Sequence, residues 1–308
     1  MTKTVFIDGG AGTTGLEIAD RLSGRPDLSI LTLPDERRKD AQARREAIND
    51  ADFVILCLPD DAAREAISLI ANDRTRVVDA STAHRTAEAW VYGFAELEPE
   101  QQQRVANARF VSNPGCYPTG FLALVRPLVR AGIIPADWPV SVNAASGYSG
   151  GGKAMIAEYE SATQRAFRPY GLSVAHKHAP EMQRHSGLTH APIFAPAVVD
   201  TYRGMVVEVP LPLYALPGAP SLDTVAATLA EAYADSRIVT VAPGDIAAVN
   251  IEENAGSDRM TLRVCGNAAT GQARLIATLD NLGKGAGGAA VQNLNIMAGL
   301  DPTAGLVL

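Results

Sequence analysis

Short apolar runs alternate with amphipathic stretches through the first third of the chain. Residues 4–8, 53–58 and 76–79 have the length and composition of buried strands. Apolar side chains recur at helical spacing between these runs, as in residues 60–71. Strands that alternate with helices are typical of a parallel, doubly wound sheet. We therefore predict a Rossmann-type α/β domain over residues 1–115.

The pattern changes after a predicted helix over residues 120–131. Turns rather than helices join most of the later apolar runs, which lie at residues 140–144, 192–199, 202–211, 260–265 and 273–280. This pattern is typical of a mainly antiparallel sheet. We predict a second, α+β domain over residues 116–280, followed by a C-terminal helix in residues 281–308 that returns to the first domain.

Composition limits the classes of function that the chain can have. The 308 residues carry a net charge of −7, and no run of Lys or Arg is long enough to suggest a nucleic-acid surface. No apolar run approaches membrane-spanning length, and the N-terminus reads directly into a strand rather than a signal peptide. Three scattered cysteines indicate neither a disulfide framework nor a zinc ribbon. We expect a cytoplasmic protein that binds neither nucleic acid nor membranes.

A glycine-rich turn follows the first predicted strand. Gly10, Gly12 and Gly15 fit the pattern G-x-G-x-x-G in the strand–turn–helix context that dinucleotide-binding proteins require. Glycines allow the backbone to approach a pyrophosphate, which binds at the helix N-terminus. The predicted coenzyme contacts of this turn are Gly9, Gly10, Gly12, Thr13, Thr14 and Gly15.

The end of the second strand does not choose between coenzymes. Asp35 is placed to bind a ribose, as in NAD enzymes, whereas Arg37 and Arg38 could bind the 2′-phosphate of NADP. A solvated run of charges is the plainer alternative. From the residues alone, the preference for NAD or NADP stays open.

Ligands of doubly wound sheets bind beyond the carboxyl ends of the strands. Gly10, Pro59, Ser81 and Cys116 each follow a predicted strand, so we expect them to converge at this edge. His84 and Arg85 come shortly after Ser81. They could contact a ligand at this edge, but we favour their interpretation as a surface pair.

Cys116 lies in the stretch Ser-Asn-Pro-Gly-Cys-Tyr-Pro-Thr, between an apolar run and a predicted helix. Pro118 suits the first turn of that helix. A cysteine at a helix N-terminus is stabilised as a thiolate by backbone N–H groups and the helix dipole, which favours a nucleophile. The alternative is that Cys116 is a small buried hydrophobe beside an ordinary turn.

A second glycine-rich loop runs from Ser146 to Lys153 and precedes a predicted helix over residues 154–165. It nearly matches the Walker A loop, but Ala154 replaces the Ser or Thr that would bind Mg²⁺, which argues against a nucleotide triphosphatase. An anion cradle with Lys153 as counter-charge is physically sensible. A flexible surface loop is the alternative.

His176 and His178 flank Lys177 in a turn that enters a helix at Pro180. Two interpretations compete for this pair. One is metal ligation supported by Glu181 or His185, and the other is acid/base catalysis for Cys116. No further cluster of Asp or His completes a metal set in the sequence. We therefore favour acid/base catalysis and predict no metal site.

Taken together, these motifs resemble the short form of the N-acetyl-γ-glutamyl-phosphate reductase family, an arginine-biosynthetic family related to aspartate-semialdehyde dehydrogenase. The resemblance covers nearly the whole chain. Its most specific blocks are Ser112–Thr119 and the closing Asn-Leu-Gly-Lys-Gly of residues 281–285, which Gln292 and Asn293 follow. The run from Ala286 to Ala289 varies the family's usual Ala-Ala-Gly.

The resemblance implies an NADPH-dependent reduction of an acyl phosphate through a cysteine thioester, in a homodimer or homotetramer. It implies that Cys116 is the nucleophile and His178 the acid/base, with His176 in reserve, and that the second domain is catalytic and mediates dimerisation. Further coenzyme contacts implied are Arg37, Arg38, Pro59, Ser81, Asn281, Gly283, Lys284 and Gly285. The expected substrate contacts are Asn113, Ser149, Gly150, Gly151, Gly152 and Lys153.

Several alternatives stay open at this point. Related reductases act on carrier-linked aminoadipyl phosphate or on aspartyl phosphate, so the acyl group is less well determined than the chemistry. Outside this class, a metal hydrolase would use His176, His178 and Glu181. A non-catalytic NADP(H) sensor would bind the dinucleotide while Cys116 stayed inert.

Overall fold

The computed structural model describes residues 2–161 and 166–308. The chain divides into two compact units. Unit 1 consists of Met1–Ala95, Glu100–Gly115 and Ala286–Leu306. Unit 2 consists of Glu96–Pro99, Cys116–Gly285 and Val307–Leu308.

Unit 1 contains a six-stranded sheet in the order β2-β1-β3-β4-β6-β5, in which every neighbouring pair is parallel. Its strands are β1 (Lys3–Asp8), β2 (Leu28–Leu31), β3 (Phe53–Leu56), β4 (Arg76–Asp79), β5 (Val91–Tyr92) and β6 (Phe110–Ser112). This arrangement confirms the prediction of a Rossmann-type parallel sheet.

Apolar side chains cover both faces of this sheet. Successive residues of a strand point to opposite faces, and Val5 and Phe6 accordingly belong to two different apolar clusters. The helices of unit 1 are α1 (Thr13–Leu22), α2 (Ala41–Asp50), α3 (Asp60–Ser68), α4 (Gln101–Asn107) and a C-terminal helix, Gly288–Ala298. The C-terminal helix packs against α1, α4 and β4 and is buried along almost its whole length. Helices on both faces make the sheet doubly wound, as predicted.

Unit 2 contains a seven-stranded sheet in the order β11-β12-β13-β10-β7-β9-β8. Its strands are β7 (Ser141–Gly147), β8 (Phe167–Pro169), β9 (Ile193–Val199), β10 (Met205–Pro212), β11 (Val239–Val241), β12 (Met260–Asn267) and β13 (Gln272–Leu279). Two neighbouring pairs, β7–β9 and β11–β12, are parallel, and the other pairs are antiparallel. The sheet is therefore mainly antiparallel, as predicted, with helical crossovers between β7 and β9.

The helices of unit 2 are α5 (Cys116–Arg130), α6 (Gly152–Ser161), α7 (Ala179–Ser186) and α8 (Leu222–Ala232); the C-terminal helix of unit 1 is α9. Helix α5 supplies the centre of the core, where Phe121, Leu124 and Leu128 are fully buried. It contacts β10, β13, α7 and α8. Within the residues that the structure describes, no helix is long and apolar enough to span a membrane.

Several predicted boundaries were wrong, and three of these lie near the motifs of unit 2. Helix α5 begins at Cys116 rather than at residue 120, because Pro118 fits inside its first turn, where no N–H partner is required. Strand β7 continues through Gly147 instead of ending at residue 144, because β10 and β9 pair with it there. Helix α6 begins at Gly152 instead of residue 154, and residues 162–165 of its predicted end lie outside the described residues.

Candidate active site

Four turns meet at one edge of the sheet of unit 1. Four residues lie one to three positions after the ends of β1, β3, β4 and β6, and these are Gly9, Pro59, Ser81 and Asn113, respectively. These four strands are parallel neighbours, so the structure brings the turns to the same edge. Cys116, which was also expected there, belongs to unit 2 and is described with that unit.

The first glycine turn fits a dinucleotide pyrophosphate. Gly9 has a φ of +86°, and a Cβ at this position would lie 2.3 Å from the carbonyl oxygen of Cys57. A Cβ at Gly15 would lie 2.6 Å from Cα of Gly10, so α1 packs directly on the turn. Helix α1 begins at Thr13, and no side chain caps its first N–H groups. Such a backbone cradle suits an anionic diphosphate.

Arg37 and Arg38 lie in and just after a short 3₁₀ turn and are exposed. The Arg37 guanidinium is 3.7 Å from Glu46, and that of Arg38 is 3.3 Å from Asp35. Exposed pairs of this kind contribute about 0–1 kcal/mol. Breaking either ion pair to bind a phosphate would therefore cost little free energy.

Ser81 points toward a buried carboxylate. Its hydroxyl donates to Oδ2 of Asp79 at 2.8 Å, and Nδ1 of His84 is 2.6 Å from the same oxygen. Arg85 is buried and donates to the carbonyl oxygens of Asn113 and Ala80, each at 3.0 Å. The interpretation of His84 and Arg85 as a surface pair was therefore wrong, because both side chains serve to hold neighbouring turns.

Asn113 shapes the turn that precedes the cysteine. Its Nδ2 donates to the carbonyl of Ala286 at 3.0 Å, and its Oδ1 accepts from Nδ2 of Asn293 at 3.0 Å. The side chain is almost completely buried. These bonds tie the turn of residues 113–115 to helix α9 within unit 1.

In unit 2, Cys116 is the first residue of α5, a helix of 15 residues, and it is half-buried. Free N–H groups at a helix start stabilise a thiolate. The alternative of a fully buried structural cysteine does not fit this position. The next side chain, Tyr117, is buried and donates from its hydroxyl to the carbonyl of Ala197 at 3.0 Å.

The two histidines lie beside Tyr117. The ring of His178 is 5.9 Å from that of Tyr117 and 4.8 Å from that of His176. The backbone N–H of His178 donates to Nδ1 of His176 at 3.1 Å, so this nitrogen acts as an acceptor and carries no proton. Burial lowers the pKa of His176, which further favours its neutral form. His178 caps helix α7 and is almost completely buried.

Tyr170 completes this cluster and was not found from the sequence. Its hydroxyl lies 3.3 Å from that of Tyr117, and burial raises the pKa of Tyr170 to about 12. Burial is also the main cause of the raised pKa of Tyr117, and Cys116 adds to the raised pKa of both tyrosines. A single tyrosine in a loop offers no local pattern that would have identified it.

Hydrogen bonds join the second glycine-rich loop to other segments of unit 2. The hydroxyl of Ser149 accepts from Nδ2 of Asn281 at 2.9 Å, and Oδ1 of Asn281 accepts from the N–H of Gly204. Gly150 and Gly151 belong to a 3₁₀ turn, and Gly152, with a φ of +72°, begins α6. Lys153 is the second residue of α6 and is exposed. The loop therefore presents a cation and a helix N-terminus on a fixed backbone.

The closing glycine motif forms a π-helical turn, Gly283–Gly287. Asp280 is buried and its Oδ1 accepts from the N–H groups of Leu282 and Gly283, at 2.7 and 3.2 Å. Lys284 is also buried, and its Nζ lies 2.7 Å from Glu96. The sequence did not reveal the parts played by Asp280 and Glu96, because isolated acidic residues carry no motif.

No group of three or more His, Cys, Asp or Glu side chains is arranged to hold a metal ion within residues 2–161 and 166–308.

Comparison with known families matches both halves of the chain. Residues 4–105 match the semialdehyde dehydrogenase NAD-binding domain, and residues 116–281 match the semialdehyde dehydrogenase dimerisation domain. The glycine turn described above lies within the first match, and Cys116 begins the second. Unit 1 thus carries a nicotinamide-dinucleotide-binding domain.

Curated relatives are similar over nearly the full length. The chain is 52% identical to an N-acetyl-γ-glutamyl-phosphate reductase of Brucella ovis, over 97% of this chain and 100% of the relative. It is 51% identical to N-acetyl-γ-glutamyl-phosphate reductase 2 of Pseudomonas putida, over 97% of both chains. It is 49% identical to the reductase 2 of Nostoc sp., over 98% of both chains.

Solved structures share the fold at low identity. Aspartate semialdehyde dehydrogenase II of Vibrio cholerae, complexed with ASA, gives a TM-score of 0.74 at 15% identity, over 97% of this chain and 98% of that one. Aspartate semialdehyde dehydrogenase with NADP from Candida albicans gives a TM-score of 0.66 at 14% identity, over 97% and 99%. These similarities confirm the two-part α/β and α+β architecture.

Proposed function

Because this chain belongs to the N-acetyl-γ-glutamyl-phosphate reductase family, we propose that it reduces N-acetyl-γ-glutamyl phosphate to N-acetylglutamate semialdehyde in arginine biosynthesis. One acyl phosphate, one NADPH and one proton give one aldehyde, one NADP⁺ and one phosphate. The observation that carries the proposal is a half-buried cysteine at the start of a long helix, followed directly by a tyrosine that packs against two imidazoles, in a chain about half identical to such reductases.

Cys116 performs the first step. Its thiolate attacks the carbonyl carbon of the acyl phosphate and forms a C–S bond. The bond between this carbon and the phosphate oxygen breaks, and phosphate leaves. The product is a thioester on Cys116. The first N–H groups of α5 are suited to stabilise the oxyanion that precedes it, and one such donor is worth about 10²–10³ in rate.

When bound, NADPH supplies the hydride that reduces the thioester. His178 then protonates the oxygen of the thiohemiacetal and takes this proton back as the C–S bond breaks. This acid/base role is worth about 10²–10⁴ in rate. The geometry favours His178 over His176, because Nδ1 of His176 already accepts a backbone hydrogen bond and its pKa is lowered by burial. His176 orients the turn that carries His178.

The proposed coenzyme contacts lie in both units and are assigned by residue only. In unit 1 they are Gly9, Gly10, Gly12, Thr13, Thr14, Gly15, Pro59 and Ser81, with Arg37 and Arg38 for the 2′-phosphate that distinguishes NADP from NAD. In unit 2 they are Asn281, Gly283, Lys284 and Gly285. Because the ammonium group of Lys284 is paired with Glu96, we assign its contact to the backbone.

The proposed substrate contacts belong to the second glycine-rich loop. Lys153 and the backbone of Ser149–Gly152 are suited to bind the phosphate or the carboxylate of the substrate, since a helix N-terminus and a free-standing cation both favour anions. Asn113 contributes by fixing the turn before the cysteine. The proposed catalytic domain corresponds to residues 116–280 and the coenzyme domain to residues 1–115, with residues 281–308 as the closing segment.

We further propose that the enzyme is a homodimer, or a dimer of dimers, which assembles through the open face of the unit 2 sheet. A groove of about 500 Å³ lies on this face, lined by β7, β9, β10 and the segment around Tyr170. Phe167, Leu172 and Ile193 line it and are 62%, 82% and 62% exposed. An exposed apolar patch of this kind marks an interface, and the match to a dimerisation domain favours a second copy.

Three scattered cysteines fit the cytoplasm as the compartment.

Purified enzyme tests the acyl substrate directly. We expect NADPH oxidation with N-acetyl-γ-glutamyl phosphate, and a kcat/KM at least about 10²-fold lower with aspartyl phosphate or a carrier-linked aminoadipyl phosphate, because a binding site rejects groups that leave its polar atoms unpaired. Cys116→Ser should bind NADPH normally and lose turnover. A preference for either alternative substrate would change the proposed acyl group, and an active Cys116→Ser variant would remove the thioester mechanism.

A further inference from the structure

The ammonium group of Lys284 is enclosed within unit 2. It lies 2.7 Å from Oε2 of Glu96, and the two side chains are only 2% and 12% exposed. Removing two charges from water is costly, so a pair this buried is a weak source of net stability. Glu96 belongs to Glu96–Pro99, a four-residue segment of unit 2 that is separated in sequence from the rest of that unit. The pair therefore fixes the backbone at Lys284 to this segment.

The residue after Lys284 is in contact with the nucleophile. A Cβ built on Gly285 would lie 3.0 Å from Cβ and 3.4 Å from Cα of Cys116. The N–H of Gly285 donates to the carbonyl of Asp280 at 3.0 Å. The backbone of Gly285 thus lies against Cα and Cβ of Cys116, and its position depends on how the turn is held.

The turn is held at three points. Asp280 fixes its beginning through the N–H groups of Leu282 and Gly283, and its Oδ2 accepts from the N–H of Gly256 at 2.5 Å. These side-chain bonds end before Lys284, and the carbonyl oxygen of Asp280 holds the N–H of Gly285. The ion pair with Glu96 fixes the residue directly before Gly285.

We propose that Glu96 is a positioning residue of the reductase: its ion pair with Lys284 seats Gly285 against Cys116 and so sets the space available to the thiol. This inference rests on the proposed function, in which Cys116 is the nucleophile. Misplacing a reacting group by about 1 Å can lower the rate about 10²-fold. Glu96 acts through Lys284 and Gly285 and touches no reacting atom in this scheme.

Glu96→Gln tests the proposal in the full-length enzyme. We expect kcat to fall about 10- to 100-fold while KM for the acyl phosphate changes less than about threefold, because the change affects the reacting geometry rather than ground-state binding. Iodoacetamide should alkylate Cys116 at least about threefold faster, because the backbone at Gly285 is held less firmly against Cys116. The thiol of Cys57, whose pKa is raised by burial, should stay slow to react and so report that the fold is intact.

Glu98→Gln is the matched control. Glu98 belongs to the same four-residue segment and accepts a hydrogen bond from Nε of Arg126 at 2.9 Å. This pair is more exposed than Glu96–Lys284, with side chains 24% and 21% exposed, and its basic partner belongs to α5 rather than to the turn at Gly285. We expect kcat and the alkylation rate of Cys116 to stay within about twofold of the wild type, because the Glu96–Lys284 pair is retained.

Two more variants separate positioning from stability. Removing one partner of a buried pair destabilises the fold, whereas removing both charges is often tolerated. Glu96→Gln combined with Lys284→Met should therefore recover the melting temperature yet keep the low kcat and fast alkylation. Glu96→Asp keeps the charge but shortens its reach, and should lower kcat less than Glu96→Gln.

Wild-type kcat and Cys116 alkylation in Glu96→Gln, or in the stable double variant, would overturn the positioning role. That result leaves the proposed function standing if Cys116→Ser is inactive. An active Cys116→Ser variant would instead remove the function on which the inference rests. The two failures are therefore distinguishable.

Discussion

At the scale of single residues, the proposed mechanism depends on the difference between Cys116 and the other two cysteines. Burial, with help from Asp79 and Asp8, raises the pKa of the Cys57 thiol to about 12. Burial also raises the pKa of Cys265. A raised thiol pKa keeps the group protonated and unreactive until the pH approaches that value. Cys116 differs in lying at a helix N-terminus.

Alkylation should therefore be selective. At pH 7.5 a thiol with a pKa of about 12 is ionised in roughly one molecule in 10⁴–10⁵, so Cys57 should not react with iodoacetamide below about pH 9. Cys116 should be labelled first, as mass spectrometry of the peptides over time would show. Equal labelling of Cys57 or Cys265 with Cys116 would contradict the presence of an activated thiolate.

The two histidines should respond differently to substitution. His178→Asn should lower kcat about 10²–10⁴-fold with little change in substrate affinity, because it removes the proton carrier. His176→Asn should cost less than about tenfold, since the Asn side-chain oxygen can still accept the N–H of His178. Steady-state kinetics of both variants decide the assignment. A large loss in His176→Asn alone would reverse the roles.

Residues with a local motif could be identified from the sequence, and residues without one could not. Gly9 and Cys116 were identified from the spacing of their motifs and from their flanking residues. Glu96 and Lys284 are 188 positions apart, so their pairing exists only in the folded chain. Tyr170 became a candidate only because the fold places its hydroxyl beside that of Tyr117. The roles of the proposed site residues remain predictions.

At the scale of elements, strong periodicity gave the right elements and weak periodicity did not. The sequence analysis missed helix α2. Its buried face consists of Ala43, Arg44, Ala47 and Ile48, and of these only Ile48 is a large apolar residue, so the apolar stripe is weak. Asp40 caps this helix by accepting from the N–H of Ala43. Boundaries such as the start of α5 depend on how one proline fits the first turn, which averaged hydrophobicity does not report.

The 3₁₀ turn after β2 should determine the preference for NADPH. Replacing Arg37 and Arg38 together by Ala should lower kcat/KM for NADPH about 10- to 100-fold and leave that for NADH nearly unchanged, because charge-assisted bonds to phosphate contribute about 1.5–3 kcal/mol. Arg45→Ala, on the exposed face of α2, is a suitable control. An equal loss with both coenzymes would exclude a 2′-phosphate contact.

At the scale of the whole molecule, alternation of strands and helices correctly predicted the parallel sheet of unit 1. The strand order of the second sheet, and its parallel β7–β9 pair, could not be predicted, because the pairing joins segments on either side of α6 and α7. The sequence also did not predict which face of this second sheet carries the exposed groove. Val207 and Val209 are buried, whereas Val206 and Glu208, which alternate with them along β10, line the groove.

Self-association should depend on that groove. Phe167→Glu combined with Ile193→Glu should shift the enzyme from dimer to monomer in sedimentation equilibrium, because charge placed in an apolar interface is not compensated. Ile246→Glu, an exposed apolar position outside the groove, should leave the assembly unchanged. A dimer that survives the double substitution would place the interface elsewhere.

The thioester on Cys116 is tested most directly by running the reaction backward. Enzyme with N-acetylglutamate semialdehyde and NADP⁺ but no phosphate should form about one equivalent of NADPH per subunit and then stop, because the acyl group stays on the thiol. Adding phosphate should restart NADPH formation, and Cys116→Ser should show neither phase. Continuous NADPH formation without phosphate, or a burst in Cys116→Ser, would contradict the mechanism.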